Sequence, residues 1–514
     1  MKLRLALLLA CLLFAAGSAA ADTQPSLEGL DAYVQKVMAQ WQVPGIAIAV
    51  VQDGKVVLAK GYGVRQLGKP EPVDADTLFD IASNTKAFTA AALGTLVAAG
   101  KLGWDARAVD YVKPFRLSDP YVTQSITLQD LLTHDSGYCD PGSMWYTSDD
   151  SDAIERLRYQ KPDYGFRSMF CYNNTLYLTA ARFIPAVAGE SWNDYVAARF
   201  FKPLGMSRTV TTTAALAASS DVASPHALVD GKLTLIHAYW PHNMDIDAPI
   251  GGIDSSANDM SRWLLMLLAG GTYGGKEVLP PAVLDAMETP QVVIKPDTES
   301  GQALRTWMPG GNFYTYGLGF FMQDYADHKL VWHAGDIDGM ASTLAMVPDA
   351  HLGVVVLTNL DHSDARFAIL HRILQQSLGL PLQDTSDVLY AEAEKSRKAG
   401  QAEEQKLAAT RRPGASPTLP LAAYAGLYKD DFNGSARVTQ EGGRLVLRLE
   451  DPDFTGDLEP WHDNTFRVTW RYAFYGKDYV TFGLDVFGKP ATLRFTDPSF
   501  HFERTEASDK AATP

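Results

Sequence analysis

Ile81-Ala82-Ser83-Asn84-Thr85-Lys86-Ala87-Phe88-Thr89-Ala90 opens an apolar, alanine-rich run that reads as a helix through Ala99 and holds the only Ser-x-x-Lys of the chain. Residues three apart share a helix face, so the Ser83 hydroxyl and the Lys86 amine can meet. A serine alone is a poor nucleophile, and a buried lysine with a depressed pKa can take its proton. Ser83 also stands at the start of the helix, where free N–H groups and the dipole favour developing negative charge. Two fixed positions recur by chance in a chain of this length, so the weight of the pattern depends on what surrounds it.

Upstream, Leu27, Leu30, Tyr33, Val34, Val37, Met38 and Trp41 recur at helical spacing until Pro44-Gly45 stops the run. β-rich segments at 46–51 and 56–62 flank Asp53-Gly54, a favoured hairpin turn. Helix, hairpin and then the Ser83 helix imply an antiparallel sheet flanked by helices. Downstream, Thr127 caps a short helix broken at Gly137, and an irregular segment from Tyr138 to Phe170 carries Trp145, Tyr146, Asp149, Asp150 and Asp152. Long loops of that kind often bind ligands, with surface filler as the plainer reading. Helical runs follow from Thr175 and Ser191, Val229-Asp230-Gly231-Lys232 signals a second hairpin, and Ser256 caps an apolar helix to Leu268. β-rich segments at 316–322, 330–334, 340–347 and 354–357 and a helix at 367–378 complete an α+β domain with a helical subdomain.

Composition shifts after that. Residues 387–409 are charged and alanine-rich, and Arg412-Pro413-Gly414-Ala415-Ser416-Pro417 is a linker. Short β segments at 424–428, 436–439, 444–449, 465–470, 479–484 and 491–495, rich in aromatics, indicate a small all-β barrel or sandwich. At the other end, Lys2 and Arg4 precede an apolar run from Leu5 to Ala16 and small residues to Ala21, the layout of a secretory signal peptide. The chain is therefore expected to divide into a signal peptide (1–21), a main domain (22–384), a charged helical linker (385–417), a barrel (418–506) and a disordered tail (507–514). Export to the periplasm or beyond is expected, with no stable membrane insertion, since the apolar run is too short to span a bilayer.

The net charge of −15 argues against a nucleic-acid partner, which needs clustered Lys and Arg. Removal of the signal leaves two cysteines, Cys139 and Cys171, either bridged in an oxidising compartment or left as buried thiols. No His-Glu-x-x-His or Cys-x-x-Cys is present, and neither metal nor cofactor is expected.

Ser83-Asn84-Thr85-Lys86, then Tyr172-Asn173-Asn174, then His333-Ala334-Gly335 resemble the three ordered motifs of the serine β-lactamase and penicillin-binding-protein family, closest to its class C, D-aminopeptidase and esterase branch. Supporting phrases are Leu132-Thr133-His134-Asp135-Ser136-Gly137, Pro203-Leu204-Gly205-Met206, Gly251-Gly252-Ile253, Tyr316-Gly317-Leu318-Gly319 and Leu357-Thr358-Asn359, so the likeness covers roughly residues 26–380. The resemblance implies that Ser83 attacks a carbonyl to form an acyl-enzyme and that Lys86 and Tyr172 share general-base duty, in either order. It further implies that Asn174 binds a substrate amide or orients Lys86. Backbone N–H groups of Ser83 and Asp336 would form an oxyanion hole beside Gly335. His333 stands where carboxylate-binding relatives often have lysine. It reads either as a neutral residue that shapes the site or as a proton carrier, and it moves the expected substrate from lactams toward peptides, amides and esters.

Tyr424-Ala425-Gly426-Leu427-Tyr428 and Leu458-Glu459-Pro460-Trp461-His462 are similar to the lipocalin-like barrel appended to some peptidases of that family. Such a barrel can cap the cleft, bind a second copy to make a homo-oligomer, restrict substrate length, or serve only stability. The leading expectation is an exported peptidase or amidase on short peptides, D-residues included. A carboxylic esterase or weak β-lactamase is the nearest alternative, and a non-catalytic binder of cell-wall fragments is the alternative of another class.

Overall fold

The structure, a computed structural model, describes residues 27–140, 150–237, 244–412, 414, 416–496 and 500–505. The expected signal peptide, Trp145, Tyr146 and Asp149 of the long loop, and the expected tail lie outside the described residues.

An eight-stranded antiparallel sheet runs in the order Lys55–Gly63, Gly45–Gln52, Leu352–Thr358, Met340–Val347, His328–Ile337, Phe321–Tyr325, Tyr314–Tyr316, Val292–Val293. The N-terminal hairpin thus docks on the last strand of the domain, Ile46 opposite Thr358. Its turn takes left-handed backbone at both Asp53 (φ 49°) and Gly54 (φ 72°), the geometry that matches strand twist. Side chains alternate between two cores. Ala47, Ala49, Val51, Val355 and Leu357 face the helical subdomain. Ile46, Ile48, Val50, Val354 and Val356 face the helices Leu30–Trp41 and Ala365–Ser377. The segment expected as one strand over 316–322 is two, because residues 317–320 form a turn in which Gly317 N–H donates to the Phe320 carbonyl.

The helix Thr385–Ala409 is pinned at its start, where Trp41 Nε1 donates to Ser386 Oγ at 3.0 Å, and its exposed middle carries Glu–Lys and Glu–Arg pairs three apart. Beyond it lies a closed eight-stranded barrel, Gly426–Asp430 through His501–Arg504. Six strands were expected there. The two further ones, Thr455–His462 and His501–Arg504, carry charged or proline positions that break the apolar alternation. The barrel meets the main domain at His237, whose ring stacks on Tyr472 at 3.8 Å, and at Arg156, which pairs with Glu450 at 2.8 Å. Among the described residues no helix is long and apolar enough to cross a membrane.

Candidate active site

Ser83 is presented by an elbow. The strand Phe79–Asp80 pairs with Asp254–Ser255, and a single 3₁₀ turn, Ala82–Asn84, leads into the helix Thr85–Ala98. Ala82 takes left-handed backbone (φ 47°), a conformation that costs a non-glycine residue about 1–2 kcal/mol. Asp80 holds it there by accepting the Ala82 N–H at 2.6 Å. Asp80 and its register partner Asp254 are both buried, and burial pushes both carboxyls up, the more so for Asp80 because Asp254 is its neighbour.

The Ser83 hydroxyl lies between two groups. Lys86 Nζ is 3.0 Å from its oxygen and Tyr172 Oη is 2.9 Å away. Lys86 is fully buried; it also donates to the Ile250 carbonyl at 2.8 Å and lies 5.0 Å from the centre of the Tyr172 ring. Burial lowers its pKa to about 7, against the opposing charges of Asp140 and Asp247. Tyr172 moves the other way: burial pushes its phenol well above the ordinary value, and Asp140 and Asp336 add to that. Burial thus favours the neutral form of both groups, the amine of Lys86 and the phenol of Tyr172.

The backbone beside Tyr172 is fixed by a Cys139–Cys171 disulfide with Cα atoms 4.9 Å apart and by the Asp140 N–H, which donates to the Tyr172 carbonyl at 2.7 Å. His134, buried and with its pKa lowered by burial, stacks under the Tyr172 ring at 4.2 Å and accepts the Asn173 N–H on Nδ1. Asn173 caps the helix Asn174–Ala181, its side chain accepting the Leu176 N–H. Asn174 lines the cleft and donates its amide to Asp140 at 2.6 Å. Among the described residues Lys86 bonds to Ser83 and Ile250 rather than Asn174.

Across the cleft, the strand His328–Ile337 pairs with Phe321–Tyr325 only as far as Trp332, so from His333 onward that edge opens onto Ser83. His333 is buried; burial, then the nearby Lys86, lower its pKa to about 3, so it is neutral. Its Nδ1 lies 2.6 Å from the Ala334 carbonyl and must carry the proton, which leaves Nε2 to accept from Tyr316 Oη at 3.1 Å. Gly335 permits the close approach of strand to elbow: a Cβ there would lie 2.3 Å from the Ile81 carbonyl and 2.9 Å from Ala82 Cβ. Asp336 follows at the mouth of the cleft. Burial pushes its carboxyl up, but Arg366 and His362 more than offset this and hold it well below the usual carboxylate range.

The cleft encloses about 370 Å³ and is walled by Phe170, Trp307, Phe321 and Leu304, with Glu299 and Asp336 as its charged side chains among the described residues. No residue of the barrel lines it among those described. Sequence reading missed Asp140, the Ile250 carbonyl and Arg366. Only the glycine pair after Ile250 gave a signal for any of them.

This arrangement can activate a serine, hold a carbonyl beside it and exclude bulk water from the lysine. The model of the Beta-lactamase family matches residues 30–378, and that of a domain of unknown function, DUF3471, matches residues 410–509. The chain is 28% identical over 478 residues to an unguisins hydrolase of Aspergillus violaceofuscus, covering 85% of this chain and 82% of the relative. It is 26% identical to Protein flp of Staphylococcus aureus, over 66% of this chain and 64% of the relative. Its fold is similar to that of the octameric penicillin-binding protein homologue from Pyrococcus abyssi, with a TM-score of 0.61, 22% identity and coverage of 93% and 99% of the two chains. A serine hydrolase site on this fold, within a family match that spans most of the chain, makes the protein a member of the β-lactamase family with a barrel at its C-terminus.

Proposed function

We propose that this chain is an exported peptidase or amidase that acts through an acyl-enzyme on Ser83, with short peptides bearing a free amino end, D-residues included, as its substrate class. The observation that carries the reading is the Ser83 hydroxyl held within 3.0 Å of a lysine whose pKa is lowered to about 7. Neutral Lys86 takes the serine proton as Oγ bonds to the carbonyl carbon, and the carbonyl electron pair moves to oxygen, facing the N–H groups of Ser83 and Asp336. Tyr172, a neutral hydroxyl 2.9 Å from Oγ, passes a proton to the leaving amine and recovers one from Lys86 as the C–N bond breaks. Water then attacks the acyl-enzyme by the same route in reverse, releasing the acid and restoring Ser83.

The cleft supports the substrate class. Among the described residues no lysine or arginine lines it, and His333 is neutral, so a substrate carboxylate finds no cation. Glu299 is exposed on its rim, where it can meet an ammonium group. The apolar walls suit one side chain. The disulfide and the charged, apolar and small-residue order of the N-terminus support an oxidising compartment. The test is intact mass after a fluorophosphonate, followed by a peptide panel varying chirality, length and acetylation of the amino end. An adduct on Ser83 and preference for free amino ends are expected. No adduct would sink the acyl-enzyme, and equal turnover of acetylated peptides would sink the amino-end specificity in favour of a general amidase or esterase.

A further inference from the structure

One half of the oxyanion site rests on a single peptide group. The Asp336 N–H belongs to the Gly335–Asp336 peptide, and Arg366 Nη1 donates to the carbonyl oxygen of that same peptide at 2.9 Å. The guanidinium also grips both carboxylate oxygens of Asp336, at 2.6 and 2.7 Å. Carbonyls alternate along a strand. The His333 carbonyl accepts from Thr343 on the neighbouring strand, so that of Gly335 faces the same way and the Asp336 N–H faces the open edge at Ser83. Across a trans peptide N–H and C=O point in opposite directions, so Arg366 holds the group from behind while the N–H faces the cleft.

Three physical effects follow from that contact. A cation on a carbonyl oxygen draws charge from the amide and makes its N–H a stronger donor. The planar fork fixes the peptide plane, which a single flexible bond would not. The guanidinium, with His362 Nδ1 at 3.3 Å, also neutralises a carboxylate that would otherwise repel a nearby oxyanion. Stability alone accounts poorly for the pair. The Arg366 side chain is 1% exposed and its Nε has no partner among the described residues, and a buried ion pair of this kind is often replaceable by apolar groups without loss.

We propose that Arg366 is a positioning residue for the oxyanion hole, acting through the Gly335–Asp336 peptide to aim and strengthen the Asp336 N–H. The proposal rests on the acyl-enzyme reading above. Wild-type enzyme, Arg366→Met and Arg366→Lys are compared for kcat and KM on a p-nitrophenyl ester and for affinity to a phenylboronic acid, whose tetrahedral adduct on Ser83 places an oxygen where the oxyanion forms. Near-ultraviolet circular dichroism checks folding. Arg366→Met should lower kcat about 10- to 100-fold, a fraction of what loss of a whole donor costs, and weaken boronate binding by the same factor, with KM nearly unchanged. Arg366→Lys should recover part of both. If Arg366→Met does not fold, Arg366→Lys and Asp336→Asn decide: each breaks the fork and should lose about 3- to 10-fold in kcat and boronate affinity together. Wild-type values in a folded variant, or a fall in kcat without a matching fall in boronate affinity, would overturn the proposal. Failure of wild-type enzyme to form a fluorophosphonate adduct overturns the acyl-enzyme reading and this proposal with it. A labelled wild type beside an unaffected variant overturns this proposal alone.

Discussion

The protonation state of Lys86 should set the pH dependence of acylation. Its amine is enclosed on all sides, and burial carries its pKa from 10.5 to about 7, with Asp140 and Asp247 opposing. At pH 7 an unperturbed lysine is neutral in about one molecule in 3000, whereas Lys86 is neutral in about half, so desolvation raises the supply of base roughly a thousandfold. The base works when deprotonated, so activity must rise with pH. Measured as kcat/KM on a short peptide, or as the rate of fluorophosphonate labelling, the profile should climb about tenfold per pH unit below pH 7 and level off by about pH 8. Tyr172 keeps its proton throughout this range, since burial pushes its pKa far up. Tyr172→Phe should therefore lower the plateau and leave the midpoint in place, whereas Lys86→Met should remove the rising limb with most of the rate. A flat wild-type profile between about pH 6 and 8 would refute the assignment. So would a limb that survives in Lys86→Met and disappears in Tyr172→Phe, which would return the base role to the tyrosine.

The same shift has a cost in stability. With the folded pKa below the unfolded value, the unfolded chain binds more protons between about pH 7 and 10.5, so wild-type stability rises with pH across that window. Below pH 7 both states are protonated and the buried ammonium costs about 5 kcal/mol, partly returned by its bonds to Ser83 and Ile250. Lys86→Met should thus be inactive yet melt higher at pH 7 in calorimetry, by a margin that closes toward pH 10; a lower melting point at pH 7 would contradict this. Gly335→Ala places a methyl 2.3 Å from the Ile81 carbonyl and should push the strand off the elbow, destabilising by about 1–3 kcal/mol and cutting kcat about a hundredfold. Wild-type kcat in that variant would show that the approach of strand to elbow does not matter. Reduction and alkylation of Cys139 and Cys171 releases a loop of sequence separation 32, worth about 3–4 kcal/mol, and frees the backbone next to Tyr172. Melting temperature and kcat should fall together, and unchanged values after verified alkylation would count against a role for the bridge.

The sheet was legible because it is buried on both faces. Strands such as 46–51 and 354–357 read as continuous apolar runs, and Asp53-Gly54 fixes the turn between the first two. The elbow was only half legible. Ser83 and Lys86 are local in sequence, but the left-handed Ala82 before them carries no glycine to announce it; its conformation is imposed by Asp80 and by the strand that Gly335 lets in. The strand break at 317–320 was hidden by apolar residues on both sides of two glycines.

The direction of the two pKa shifts at Ser83 could not be read from residue types. A lysine beside a tyrosine can lower the phenol's pKa only if the amine stays charged. Whether it stays charged depends on how much water reaches it. Here the answer comes from residues dispersed along the chain: the Ile250 carbonyl that takes one hydrogen bond, the His134 ring that stacks on both Tyr172 and Tyr177, and the absence of a hydrogen bond between Lys86 and Asn174 among the described residues. Arg366 was illegible for a similar reason. It sits thirty-one residues beyond Gly335 on a helix whose apolar spacing gives it no distinction, and its bond to the Gly335 carbonyl stands out only when the strand it reaches is seen to end its pairing at Trp332. The motifs therefore bring Ser83, Lys86 and Tyr172 together, while the electrostatics that would decide which of them accepts a proton depend on burial, a property of the whole fold.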